Sequence, residues 1–104
     1  MTYTVVFTPE AEEQLAELYR YIEKEASPEI ALRYTSAIVA YCEGFRELPR
    51  RAVHRDDIRP GLHITNYKGR AVIAYAVDEE RVPIVGLFYG GGDYETLLQS
   101  DADE

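Results

Sequence analysis

The sequence has few of the features that mark disulfide-bonded, zinc-binding or membrane-spanning proteins. Cys42 is the only cysteine in 104 residues, which excludes an internal disulfide and any zinc site built from several cysteines. Its place in a helical pattern predicts that the thiol fills the core. The longest apolar run has the length of a strand, far below the roughly 20 residues of a membrane-spanning helix. No basic and apolar leader stands at the amino end, so we predict a cytoplasmic protein.

Basic residues are scarce as well. The chain has 11 Lys and Arg against 19 Asp and Glu, which gives a formal net charge of −8 at pH 7. Because phosphate binding depends on clustered bases, this balance argues against direct binding of nucleic acid. The distribution is uneven, however, since residues 49–77 hold six basic and two acidic side chains between two acidic segments.

These six bases form what we call the basic band, which consists of Arg50, Arg51, Arg55, Arg59, Lys68 and Arg70. Two interpretations of the band stay open. It can simply balance the acidic segments on either side. It can also bind an acidic partner, and the partner-binding residues predicted on this interpretation are Arg50, Arg51, Arg55, Arg59 and Arg70.

The amino-terminal half predicts a strand followed by two antiparallel helices. Residues 2–8 alternate between apolar and polar side chains, as a half-buried strand does. Thr8 and Ser27 are each followed by proline and glutamate, the sequence typical of a helix N-cap and first turn. The first helix should end close to Ala26 and the second before Pro49, and so short a link predicts a helical hairpin.

The carboxy-terminal half predicts a three-stranded antiparallel meander. After an aperiodic loop at residues 50–61, strands are predicted at Leu62–Tyr67, Ala71–Val77 and Val82–Tyr89. The strand from Ala71 is apolar on both faces, so the last two strands should form the centre of the sheet. The predicted fold class is therefore α+β, in a single domain of residues 1–104 whose acidic tail, residues 100–104, frays. The position of the first strand in the sheet stays open.

The glycine run at residues 90–92 precedes a short helix predicted at Tyr94–Gln99. Free backbone amides at such a place can cradle a phosphate. The run lacks the lysine and hydroxyl residue of a phosphate-binding loop, and Asp93 and Glu95 put negative charge where phosphate would lie. We therefore interpret the glycines as a hinge.

No metal site or catalytic constellation is recognisable from residue spacing. His54 and His63 do not match a known ligand spacing, no serine comes with evidence of a base, and no cofactor is predicted. One chemical option remains, in which arginine stabilises phosphate charge while histidine or tyrosine transfers a proton. The residues that could converge for it are Arg59, His63, Arg70, Tyr75 and Tyr89.

The order of these elements resembles that of the RelE/ParE superfamily of bacterial toxins. The resemblance is carried by three stretches: FTPEAEEQLAELYRYIEKEASPEIALRY, the passage from LPRR to IRPGLH, and AVIAYAVDEERVPIVGLFYGGGDYETLL. They look most like ParE-like members. The resemblance implies the toxin of a type II toxin–antitoxin pair, held inactive by an antitoxin whose extended segment wraps the toxin. The superfamily usually has arginine after PGL, where this chain has His63, so the role of that arginine does not carry over.

Two toxic activities are associated with the superfamily. ParE-like members poison DNA gyrase, and RelE-like members cleave messenger RNA in the ribosome. RelE-like nucleases tend to be strongly basic, so the acidic charge of this chain favours a non-enzymatic gyrase-directed toxin. A ribosome-dependent endonuclease is the alternative, and a non-catalytic interaction module comes third.

The resemblance also predicts partners. It implies a cognate antitoxin and a complex of two toxins with two antitoxins. An acidic stretch of the antitoxin would lie across the basic band. The apolar faces of the helical hairpin are a second possible docking surface.

Overall fold

The computed structural model describes residues 2–47, 53–68 and 70–89. These residues form two helices and a five-stranded sheet. In chain order the elements are β1 (Thr4–Phe7), α1 (Pro9–Glu25), α2 (Pro28–Glu43), β2 (Val53–His54), β3 (His63–Tyr67), β4 (Ala71–Tyr75) and β5 (Arg81–Tyr89). None of the helices in these residues is long and apolar enough to cross a membrane.

The sheet has the strand order β1-β5-β4-β3-β2. The hairpin of β4 and β5 is therefore interior, which confirms the prediction from its apolar faces. The pairs from β2 to β5 are antiparallel, as expected for a meander. The structure also answers the open question about β1, which lies at one edge and pairs in parallel with β5.

Both predicted helix starts are confirmed by their capping hydrogen bonds. The hydroxyl of Thr8 accepts from the backbone N–H of Ala11, and that of Ser27 accepts from Ile30, each at 3.2 Å. These bonds satisfy amide donors that have no partner within the helix. Helix α1 stops at Glu25, next to the predicted end.

The second helix is shorter than predicted. Helix α2 ends at Glu43 and continues as a 3-10 turn over Gly44–Arg46. The tighter turn places the ring of Phe45 against Tyr75, with the ring centroids 4.2 Å apart. Leu48 and Pro49, on which the predicted helix end rested, lie outside the described residues.

Two other boundaries differ from the predictions. The loop predicted at residues 50–61 contains the short strand β2, whose two residues pair with β3 and are too few to show a period. Strand β4 ends at Tyr75 rather than Val77, and its pairing with β5 shifts register between Ala74 and Tyr75. The helix predicted at Tyr94–Gln99 and the glycine hinge lie outside the described residues.

The core has two parts, one on each face of the sheet. The larger part lies between the sheet and the two helices and includes Ile38, Cys42, Ile73 and Ile84. The smaller part covers the opposite face and is formed by buried residues of the loop and strands: Ile58, Leu62, Ile64 and Ala74. Burial raises the pKa of Cys42 to about 12, which confirms a core thiol and makes it unreactive at neutral pH.

The junction of β1 and α1 is tied to β5 by side-chain hydrogen bonds. The backbone N–H and the hydroxyl of Thr8 both donate to the carbonyl of Ile84, at 3.1 and 3.0 Å. The backbone N–H of Leu87 lies beyond the last residue paired with β1, and it donates to the side-chain oxygen of Gln14 at 2.7 Å. Gln14 thus takes the place of a strand that has ended.

Candidate functional site

The structure divides the described part of the basic band into two halves. The loop half carries Arg55 and Arg59 in the segment between β2 and β3. The turn half carries Lys68 and Arg70, on either side of the turn between β3 and β4. Arg50 and Arg51 lie outside the described residues, so their predicted role in partner binding stays a prediction.

The loop half is a compact, internally bonded segment. The backbone N–H of Arg55 donates to the carbonyl of Leu62 at 2.8 Å, which closes the segment. The backbone N–H of Gly61 donates to the carboxylate of Asp56, also at 2.8 Å. Gly61 has a φ of +78°, a conformation that glycine adopts without a Cβ penalty. Ile58 and Leu62 anchor the segment by their burial against the sheet.

The charge of Arg55 is largely used within this loop. Its Nε and Nη2 atoms donate to the two carboxylate oxygens of Asp57, each at 2.9 Å. Hydrogen bonding to Arg55 holds the pKa of Asp57 below its ordinary value. Arg59 in the same segment is half-buried. The loop half therefore offers less free positive charge than its sequence indicates.

The turn half is open to solvent. Lys68 and Arg70 are both exposed, and neither side chain forms an ion pair with any residue in the described ranges. The Nζ atom of Lys68 lies 5.5 Å from the centroid of the Tyr67 ring, within the range of a cation–π contact. Both charges are thus free to meet an acidic group from outside.

Beside the turn half lies what we call the tyrosine cluster, at the end of the sheet where Tyr67, Ala71 and Tyr89 pair across three strands. Tyr34 from α2 packs edge to face on the rings of Tyr67 and Tyr89, with centroids 5.9 and 5.8 Å apart. Tyr21 contacts Tyr89 at 6.0 Å, and Tyr41 contacts Tyr67 at 5.1 Å. The cluster therefore consists of Tyr21, Tyr34, Tyr41, Tyr67 and Tyr89.

The tyrosine cluster combines a buried centre with exposed flanks. Tyr21 is 54% exposed and Tyr41 39% exposed. The hydroxyl oxygen of Tyr34 is buried and has no hydrogen-bond partner among the residues that the structure describes. Burial raises the pKa of Tyr34, as do Tyr89 and Tyr67, whereas Arg70 lowers it. The phenol therefore keeps its proton at neutral pH and remains a hydrogen-bond donor.

The two histidines lie at the other end of β3. The ring of His63 is only 2% exposed, stacks on Tyr75 with an interplanar angle of 15° and lies 4.2 Å from the ring of His54. Its Nδ1 atom is 3.2 Å from the carbonyl oxygen of Gly61. His63 thus joins the loop half to the core. No group of three or more potential metal ligands occurs among residues 2–47, 53–68 and 70–89.

The five residues considered for a nuclease are spread over the molecule. His63 and Tyr75 are in contact but buried. Tyr89 pairs with Ala71, at the opposite end of β4 from Tyr75. Arg70 directly precedes Ala71 and so lies at this second end, and Arg59 belongs to the loop half.

Sequence reasoning missed the tyrosine cluster as a unit. The sequence predicts Tyr67 and Tyr89 only as the last residues of two strands. The signal that could have joined them is the position of Tyr67 and Tyr89 at the same end of an antiparallel meander, where paired strands bring side chains together.

The helical hairpin carries an open groove of about 430 Å³ between α1 and α2. Its walls are mainly apolar, and two carboxylates contribute to them. The lining residues are Phe7, Glu12, Leu15, Ala16, Tyr19, Thr35, Val39 and Glu43. The groove lies on the helical hairpin, for which the sequence predicts a second docking surface, and that role stays a prediction.

Residues 5–94 match the family model described as ParE toxin of type II toxin-antitoxin system, parDE. The chain belongs to the ParE toxin family. This confirms the resemblance to the RelE/ParE superfamily, and in particular to its ParE-like members.

The fold of this ParE-family chain is similar to a solved structure titled as a chromosomal ParDE TA system from P. aeruginosa. The TM-score is 0.76 at 16% sequence identity, and the match covers 86% of this chain and 98% of the other. At such low identity the similarity concerns the fold alone, and it confirms the predicted α+β architecture. No curated protein sequence matches the chain.

Proposed function

We propose that this ParE-family chain is a toxin that inhibits DNA gyrase without catalysing a reaction and is neutralised by a cognate antitoxin in the cytoplasm. The observation that carries the proposal is the family match over residues 5–94. The net charge of −8 and the separation of the nuclease candidates support a non-enzymatic mode of action.

A ribosome-dependent messenger RNA endonuclease is the second candidate function. One observation favours it: Arg70 directly precedes Ala71, which pairs with Tyr89, so a cation and a phenol share one end of the sheet. Such groups can stabilise phosphate charge and transfer protons. The acidic surroundings make RNA a poor ligand, which is why we rank this function lower.

The antitoxin is expected to use both surfaces described above. An acidic stretch would lie across the basic band, and an apolar segment would occupy the groove of the helical hairpin. We propose a complex of two toxins and two antitoxins, as the family resemblance implies.

Induction of the chain alone in bacteria tests the proposed target. Gyrase poisoning should induce the DNA-damage response, and the purified chain should block supercoiling by gyrase while ribosome-bound message stays intact. Arrest of translation with cleaved message and normal supercoiling would reverse the ranking. Normal growth after induction would contradict the toxin proposal itself.

Reversal of charge in the loop half tests its share of the antitoxin interface. Changing Arg55 and Arg59 to Glu should weaken the complex and reduce its dependence on salt. The control is Arg20→Glu, which reverses a charge that is exposed on α1 and paired there with Glu13. Unchanged affinity of the double variant would exclude the loop half from the interface.

A further inference from the structure

We propose that Lys68, Arg70 and the tyrosine cluster form a receptor for the carboxylate side chains of an acidic peptide segment. The antitoxin is the partner that would present this segment, and that identification rests on the proposed function. The receptor would make the turn half, rather than the loop half, the main electrostatic anchor of the basic band.

The first argument is the availability of charge. Arg55 already binds a carboxylate of its own loop through two hydrogen bonds, so an incoming acid would have to compete with Asp57. Lys68 and Arg70 have no such competitor among the described residues. An arginine with free donors binds a carboxylate through charge-assisted hydrogen bonds, the strong class of such bonds.

The second argument is an unused donor next to these cations. The hydroxyl of Tyr34 is buried without a hydrogen-bond partner in the described ranges, an arrangement that costs free energy in the unbound chain. Tyr34 as a whole is only partly buried. Arg70 is exposed and directly precedes Ala71, which pairs with the Tyr67 and Tyr89 that Tyr34 contacts. Rotation of exposed side chains can therefore admit a carboxylate, which would accept from the phenol and from the guanidinium together.

The third argument concerns the groups that flank the cations. The rings of Tyr21 and Tyr41 expose apolar surface on either side of the cluster. Tyrosine is favoured at protein interfaces because a rigid ring buries much area at a low cost in conformational entropy. An acidic segment with interspersed apolar side chains fits this surface.

A peptide fits better than a nucleic acid. Phosphates recur at short, regular intervals along a strand, so a nucleic acid would need a track of cations. The turn half offers two, and α1 beyond Tyr21 continues with Glu23, Lys24 and Glu25, which are all exposed and together carry a net negative charge. A peptide whose carboxylates are separated by neutral residues can bind the two cations without placing further negative charge next to the acids of α1.

The binding test uses a short capped peptide of alternating glutamate and leucine, titrated into the folded chain and followed by NMR chemical shifts. The wild-type chain should show shifts at Lys68, Arg70 and the tyrosine cluster. Arg70→Gln should weaken binding about tenfold, the effect expected for loss of a charged hydrogen bond. Arg20→Gln makes the same change in net charge on α1 and should leave affinity unchanged.

Removal of single hydroxyls separates the receptor from general attraction. Tyr34→Phe should weaken peptide binding by about threefold to tenfold while the thermal midpoint stays equal or rises, because an unpaired buried donor is lost. Tyr3→Phe is the matched control, since Tyr3 is a tyrosine outside the cluster that packs against the larger part of the core. It should leave peptide affinity unchanged.

Three outcomes would overturn the receptor. One is wild-type peptide affinity in both Arg70→Gln and Tyr34→Phe. Another is an equal loss in Arg20→Gln, which would indicate unspecific attraction. The third is tighter binding of single-stranded oligothymidine than of the peptide, with dependence on Arg70.

Purified antitoxin provides a separate readout for the proposed function. Peptide binding that depends on Arg70 and Tyr34, without any binding of the antitoxin, would confirm the receptor and contradict its proposed partner. Binding of the antitoxin that is insensitive to Arg70→Gln and Tyr34→Phe would support the proposed function and overturn the receptor.

Discussion

The loop half and the turn half of the basic band carry the same number of described cations but differ in what those cations do. In the loop half, Arg55 binds Asp57 and Arg59 is half-buried. In the turn half, Lys68 and Arg70 are exposed and lack an acidic neighbour in the described part of the chain. A count of charges along a sequence therefore overstates the charge that a partner can use.

The physical origin of the difference is the way each segment is held. The loop half is long enough to bury Ile58 and Leu62 against the sheet and to fold acids back onto its own backbone and arginine. The turn half reverses direction within a few residues, and its two exposed cations form no ion pair with the described residues. The comparison predicts that substitutions at the buried anchors of the loop half lower the free energy of unfolding, whereas substitutions in the turn half have little effect on it.

Truncation of the loop anchor should have the largest effect. Leu62 is 1% exposed, so Leu62→Ala should lower the free energy of unfolding by about 2–5 kcal/mol through lost burial and a cavity. Lys68→Ala is the control in the turn half and should change it by less than about 0.5 kcal/mol. Urea denaturation measures both. Equal losses would show that the two halves are not held differently.

Substitutions at the two residues with positive φ should change the stability of the chain in opposite directions. A Cβ at Gly61 meets no atom within 4 Å, so Gly61→Ala should cost about 1–2 kcal/mol for its φ of +78° alone. Lys68 has a φ of +52°, and Lys68→Gly should be neutral or stabilising by up to about 1 kcal/mol. Thermal unfolding of the two variants checks the signs. Destabilisation by Lys68→Gly would contradict this account of the turn.

As the pH falls, the loop half should change before the turn half. The accompanying loss of global stability should be the smallest of the effects predicted for these two segments. The pKa of Asp57 is lowered in the folded chain, so its contribution to stability is complete above the unfolded value of about 3.9 and is lost as pH falls through the folded value. NMR titration should show residues 55–62 shifting below about pH 4. In Asp57→Asn that shift should be absent. A shift that persists in this variant would assign the acid response to another group.

Local sequence signals predicted the helix starts, whereas features that depend on long-range contacts could not be predicted. Thr8 and Ser27 could be recognised because a cap bonds a residue three positions away. The pairing of β1 with β5 could not be predicted, since Thr8 and Ile84 are 76 positions apart and no local sequence pattern indicates their contact. Strand β2 was not predicted, because a strand of two residues is too short to show an alternating pattern.

The candidate site was predicted in the same uneven way. The basic band could be predicted from the composition of residues 49–77. The hydrogen bond from Arg55 to Asp57 could not, because it depends on how the loop folds. The tyrosine cluster joins residues of α1, α2, β3 and β5, so its assembly required the strand register and the placement of both helices. His63 was noted for replacing an arginine, whereas its stacking on Tyr75 could be seen only in the fold.

The bond between Gln14 and Leu87 has a consequence for the synthesis of the chain. These residues are 73 positions apart, so β1 and α1 leave the ribosome long before their partner strand exists. Until β5 emerges, the apolar side of the helical hairpin has no sheet to cover it. A nascent chain of this kind therefore completes its core only after β5 has left the ribosome, and until then it is most exposed to chaperones and proteases.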